Sequence, residues 1–131
     1  MAQKPLAKKL GIKQGLKIAI LNQPEGYLNA VGNLPPHVTA VKELEAHLDF
    51  VHFFVHSRKE LETTFPLLKK KLSLNGMLWV SWSKSSARFP TDLNENVVRE
   101  IGLRNGLVDV KVVAVDKTWS GLKFVRRIKD R

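Results

Sequence analysis

The residues best suited to chemistry are two histidines, three tryptophans and a few loop carboxylates, serines and lysines. His52 and His56 stand four apart in the stretch DFVHFFVH. On a helix that spacing brings two rings to one metal ion. On a strand it separates them by about 13 Å, because each residue advances about 3.3 Å. The flanking Phe50, Val51, Phe53, Phe54 and Val55 favour the strand. The two rings then share a side of the strand but cannot share an ion, so His52 reads as a packed core residue. No nucleophile elbow accompanies the serines, and no Ser-His-Asp arrangement is assigned. The chain has no cysteine, which removes disulfides, zinc-ribbon chemistry and thiol nucleophiles. No catalytic residue and no metal site is expected.

These groups meet only if the chain folds into elements that gather them. A length of 131 residues suits one domain, residues 1–131. A hydrophobic share of 44% against 26% charged is an ordinary globular balance, which argues against disorder. Leu16 to Leu21 is a short apolar run between Gly15 and the turn Asn22-Gln23-Pro24-Glu25-Gly26, as in a strand buried on both faces. Val38–Val41, Asp49–His56, Met77–Trp82, Val108–Val115 and Trp119–Arg126 read as five further strands. Short helical pieces fit near Pro5–Leu10 and Tyr27–Val31.

Two longer helices carry start signals. Ser57 and Glu60 form a capping box, followed by Leu61, Phe65, Leu68 and Leu72 on one face. Pro66 removes a backbone bond, so a kink or restart is expected there. Asp92 and Glu95 form a second box, with Leu93, Val97 and Ile101 inward, and Asn105-Gly106 ends that helix. Strands separated by helices imply right-handed crossovers and a mostly parallel sheet. The link Asp116-Lys117-Thr118 is too short to cross over, so the last two strands form an antiparallel hairpin, with Asp109, Lys111 and Lys123 polar on one side. The fold class is therefore α/β, a mostly parallel Rossmann-like sheet with its last strand antiparallel.

That ending resembles the carboxy-terminal half of class I S-adenosylmethionine-dependent methyltransferases, in a truncated form. The resemblance implies strand order 2-1-3-4-6-5, and Gly76-Met77-Leu78-Trp79-Val80-Ser81-Trp82 is similar to the strand after the leucine-rich helix of those enzymes. Almost the whole chain also resembles a family of short bacterial proteins defined as a domain of unknown function. The matching stretches are Pro5–Gly11, Pro24–Tyr27, Asp49–His52, Met77–Ser81, Thr91–Leu93 and Val108–Val125 with Thr118-Trp119-Ser120-Gly121-Leu122-Lys123. It brings no activity. A cofactor turn of the methyltransferase kind needs glycines that let backbone N–H groups close on the ligand. Here the turn has one glycine, a proline and Glu25, and the chain is short by about one strand–helix unit. No cofactor is expected, and S-adenosylmethionine is disfavoured. Glu43 and Glu45 follow the second strand, either as solvated loop carboxylates or where an acid meets a ribose hydroxyl.

Ligands of open α/β sheets bind outside the carboxyl ends of the strands, where strand order reverses. That crevice lies between strands one and three, lined by Asn22, Glu25, His56 and Ser57, with Ser81, Trp82, Ser83, Lys84 and the loop to Arg88 approaching from strand four. Trp79 and Trp82 have opposite parity, and Trp119 opens the final strand at the crevice end.

The net charge of +10 sits at the ends of the chain. Met1–Lys17 has five lysines and no acid, and Lys117–Arg131 has six bases against Asp130 alone. Lys4, Lys8, Lys9, Lys13, Arg126, Arg127, Lys129 and Arg131 are expected to converge on one pole, opposite the crevice, as a surface for a polyanion. No apolar run reaches the 18 or so residues of a membrane span, and no secretory signal is read at the start, so a cytoplasmic protein is expected. The leading expectation is a non-enzymatic Rossmann-like domain that binds a partner or small ligand. A basic nucleic-acid- or ribosome-associated protein and a degenerate or atypical methyltransferase are the alternatives.

Overall fold

The computed structural model describes residues 5–84 and 91–131. The elements run α1 (Leu6–Leu10), β1 (Lys17–Leu21), α2 (Tyr27–Val31), β2 (Thr39–Val41), β3 (Leu48–Phe54) and α3 (Arg58–Lys71). β4 (Leu72–Ser83), α4 (Glu95–Arg104), β5 (Leu107–Ala114), β6 (Trp119–Arg126) and a final 3-10 turn (Ile128–Asp130) complete the chain. The six strands form one sheet in the order β2-β1-β3-β4-β6-β5. β2, β1, β3 and β4 are mutually parallel, and β6 runs antiparallel to both β4 and β5. The directions are as the sequence implies, and the order is the one the methyltransferase resemblance implies.

Strand parity divides the core into two layers. On β3, Val51, Phe53 and Val55 pack against α3 and α4 with Leu61, Phe65, Leu68, Val98, Ile101 and Phe124. Phe50 and Phe54 look the other way, onto α1 and α2, and pack with Leu6, Leu10, Tyr27, Val31, Trp79 and Trp119. Trp79 is fully buried, and its indole N–H donates to the Leu10 carbonyl at 2.8 Å, fastening the amino-terminal segment to a central strand.

Local signals explain most boundaries. Ser57 Oγ accepts the Glu60 N–H at 3.1 Å and caps α3. The three-residue hairpin link is held by Asp116, whose Oδ1 accepts the N–H of Thr118 and of Trp119, both at 2.8 Å. Gly106 takes φ +85° after Asn105, the left-handed position that ends α4. Gly102 answers to packing instead: a Cβ there would lie 2.0 Å from Phe124, so only glycine lets α4 sit this close to β6.

Four expectations are corrected. α3 passes through Pro66 without a restart, because Pro66 is exposed while Leu61, Phe65 and Leu68 hold the helix to the sheet on both sides of it. The cap of α4 is Asn94, whose side chain accepts the Val97 N–H at 2.9 Å; Asp92 instead accepts the Arg58 N–H at 2.7 Å, across from α3. Val98, fully buried, occupies the inward position expected of Val97, which is only partly covered. β4 also starts earlier than the apolar run suggests, leaving α3 directly at Leu72 and shifting register against β3 before Met77 pairs with Phe50.

Candidate functional site

The connections leaving β1 and β3 part onto opposite faces of the sheet. The first leads to α2 on the Trp79 face, the second to α3 on the Phe65 face. Open sheets bind their ligands at such a divergence, at the reversal of strand order, which is where the crevice is expected. Asn22 begins the first wall. It adopts φ +57°, a left-handed conformation asparagine tolerates, and its Nδ2 donates to the Phe54 carbonyl at 2.9 Å. This bond ties the end of β1 to the end of β3. Farther along the turn, the Tyr27 N–H donates to the Pro24 carbonyl at 3.2 Å, and Glu25 stands exposed.

On the second wall, the exposed His56 ring lies 5.4 Å from that of Trp119. Thr91 Oγ1 donates to the His56 carbonyl at 2.7 Å, and Ser57 is engaged as the α3 cap. Lys84 reaches across to the hairpin link: its Nζ donates to the Asp116 carbonyl at 2.7 Å and its N–H to the Thr118 carbonyl at 2.8 Å. Beside these groups lies a cavity of about 450 Å³, lined among others by Trp82, Ser83, Lys84, Thr91, Asn94 and Ser120. The structure thus gathers His56, Thr91 and Trp119 on one side and Trp82 with Lys84 on the other. Ser85 to Arg88, expected to approach over the crevice, lie outside the described residues.

Ser81 is not in the crevice. It is fully buried, and its Oγ is 2.7 Å from His52 Nε2, while His52 Nδ1 is 2.8 Å from the Tyr27 hydroxyl. The result is a chain of three polar side chains across α2, β3 and β4, inside an aromatic shell in which His52 stacks on Phe54 at 4.2 Å. A neutral imidazole donates from one nitrogen and accepts at the other, so one of the two hydroxyls donates and the other accepts. A charged ring would donate to both, so hydrogen bonding alone does not forbid protonation. Burial does: it lowers the His52 pKa to about 3. Burial likewise pushes the Tyr27 phenol above its ordinary range. Tyr27 also anchors the turn that precedes it. The signal for this chain was present in parity, since His52 shares its side with Phe50 and Phe54, and Ser81 with Trp79.

The methyltransferase resemblance implies S-adenosylmethionine, and the turn after β1 departs from the cradle that cofactor needs. A cradle for such a cofactor offers backbone N–H groups from the turn after the first strand. Here Pro24 has no N–H and the Tyr27 N–H is bonded inward. Directly after β2, Lys42 lines a largely apolar cavity of about 370 Å³ with Gln23, Tyr27 and Leu28, and Glu43 beyond it stands exposed without entering that lining. Glu45 has turned back to the opposite end of the sheet and pairs with Lys17 at 3.0 Å, where β1 begins.

The basic residues have different fates. Lys4 lies outside the described residues. Lys8 and Lys9 occupy the last turn of α1, and Lys13 the link to β1. Arg126 is half-buried and works locally: its Nη2 donates to the Lys69 and Leu72 carbonyls at 2.8 and 2.9 Å, closing the carboxyl end of α3. Arg127 pairs with Asp130 at 2.9 Å, and Arg131 Nε donates to the Arg126 carbonyl at 2.9 Å. Lys129 is exposed in the final turn.

No family model and no curated protein matches the chain. Solved structures do. An S-adenosylmethionine-dependent methyltransferase from Aquifex aeolicus superposes over 91% of this chain and 86% of its own, with a TM-score of 0.64 at 18% identity. Magnesium protoporphyrin IX methyltransferase from Synechocystis with bound S-adenosylhomocysteine covers 93% and 78%, TM-score 0.58, 12% identity. Aeropyrum pernix fibrillarin in complex with S-adenosylmethionine covers 92% and 73%, TM-score 0.61, 12% identity. At such identities the likeness establishes the fold, that of the class I methyltransferases.

Proposed function

We propose that this chain is a non-catalytic domain on the methyltransferase scaffold, binding a small polar ligand or a partner at the carboxyl ends of its strands. One observation carries the reading: the turn Asn22–Gly26 is bonded to the protein itself. Asn22 holds Phe54, Pro24 accepts from Tyr27, and Tyr27 is clamped by His52. Of the backbone groups that would meet a cofactor, the Tyr27 N–H is taken by the Pro24 carbonyl and Pro24 has none to offer. What remains open is the neighbouring cavity, with Trp82 as apolar floor and Ser83, Lys84, Thr91 and Ser120 as polar walls. Such a mix of one large apolar surface and several convergent polar groups suits a small ligand.

Calorimetric titration with S-adenosylmethionine and S-adenosylhomocysteine is expected to give no saturable binding, and a radiolabelled methyl-transfer assay no turnover. A fragment screen read by amide NMR should shift Trp82, Lys84, Thr91 and Ser120 in preference to Asn22–Tyr27. Tight binding of either cofactor with shifts in Asn22–Tyr27, or measurable methyl transfer, overturns the reading.

A further inference from the structure

The hairpin places Lys111 of β5 directly opposite Lys123 of β6. Like charges in that relation repel across a sheet. A third cation joins them: Lys13 is close enough that, after burial and Lys111, it helps to lower the pKa of the half-buried Lys123 ammonium. Lys123 Nζ lies 3.7 Å from where a Cβ on Gly11 would stand, and Lys111 Nζ donates to the Lys9 carbonyl at 3.2 Å. Three segments, α1 with its following link, β5 and β6, therefore bring their lysines to one place. No acid answers them. Among the described residues, no ion pair includes Lys8, Lys9, Lys13, Lys111 or Lys123. Asp109, two residues from Lys111, is held by Arg99 at 2.8 Å.

A local rule broken without a compensating partner points to a function outside folding. A threonine pair would be the better cross-strand choice, yet the chain places two cations there and partly removes one of them from water. We infer that Lys13, Lys111 and Lys123, continued by Lys8 and Lys9, form a site for the phosphate backbone of a nucleic acid strand. A group of five lysines carries more charge than a single phosphate requires. It runs beside a cavity of about 400 Å³ with Lys8 and Lys13 in its lining and Pro5, Ala7, Ile12 and Pro35 as apolar walls, which suit sugar and base faces between successive phosphates. The site does not depend on the reading of the crevice. It lies on the α1 face beside Met77, which pairs near the start of the parallel strands.

The test is fluorescence anisotropy with a labelled single-stranded DNA 20-mer and the matching duplex, from 50 to 200 mM salt. Three neutralised phosphates predict a slope of log affinity on log salt of about −2 for the strand and about −2.7 for the duplex. The Lys111→Thr/Lys123→Thr variant should lose about tenfold in affinity at low salt and flatten the slope, while its melting temperature rises as the repulsion is relieved. Lys13→Gln, a surface change in a link, keeps the test valid if the double variant folds poorly. Arg127→Gln/Lys129→Gln should matter less than Lys13→Gln. Undiminished affinity in both cluster variants, or no binding at 50 mM salt, overturns the proposal. Inorganic phosphate that competes as well as the 20-mer at equal phosphate concentration overturns it too, because the site then serves the free ion.

Discussion

Acid should unfold this protein through His52. The ring is neutral in the folded state, with its pKa lowered to about 3 by complete burial. An unfolded histidine titrates near 6.5. Above that value neither state is protonated and the group contributes nothing to pH dependence. As the pH falls below it, the unfolded chain takes up a proton that the folded core refuses, and stability falls by about 1.4 kcal/mol per pH unit. The loss reaches about 2.7 kcal/mol at pH 4.5 and ends near the folded pKa. Against a typical total of about 5–15 kcal/mol, that is a large share. His52→Phe keeps a ring on the Phe54 face and removes the titration. It also strands the Tyr27 and Ser81 hydroxyls, costing about 1–3 kcal/mol at neutral pH. Urea unfolding followed by tryptophan fluorescence at pH 7.5, 6.5, 5.5 and 4.5 should therefore show two converging curves. Wild type starts higher and falls faster. Carboxylates act equally in both proteins, so the difference isolates the ring. Parallel curves from pH 6.5 to 4.5 would refute the assignment of a neutral, proton-refusing His52.

Two further outcomes follow from the packing. Gly102→Ala should destabilise by about 1–3 kcal/mol, because the new methyl meets Phe124 and α4 must lift, with thermal melting as the readout. Asn94→Ala should cost about 1 kcal/mol through loss of the α4 cap, and its loss should speed amide exchange at Val97; Asp92→Ala should leave that amide unchanged and loosen Arg58 instead.

The strands were legible because parity and turn residues are local signals. The Phe50 and Val51 alternation, the Asn22–Gly26 turn and the short link at Asp116 mark the strands and the closing hairpin with little long-range information, whereas the order of the strands comes from the methyltransferase resemblance. The α4 cap was not legible. Asp92 and Asn94 are both good acceptors, and the choice is made by the Arg58 N–H, 34 residues away in sequence, which takes the aspartate. Ser81 illustrates the same limit within the candidate site. Its position near the end of an apolar strand points to the crevice; its parity with Trp79 gives its face, and only the register of β4 on β3 decides that it meets His52 there. Glu45 reads as a ribose acid only if the chain continues outward after β2; the return to the start of β3 carries it to Lys17. The lysine pair of the hairpin needs the bulge between Asp109 and Lys111 to become opposite, and no periodicity announces a bulge.

The placement of β6 has a consequence for biogenesis. It follows β5 in sequence, yet it fills the slot between β4 and β5. Until Trp119–Arg126 have been synthesised, β4 presents an unpaired rim in the middle of the future sheet, and β5 has no neighbour at all. From the completion of β4 until β6 emerges, the nascent chain therefore carries sticky backbone while synthesis proceeds at about 5–20 residues per second, and the slot closes in one step after that. A premature stop before Trp119 would release a polypeptide with that rim permanently open, ready to pair with its sisters.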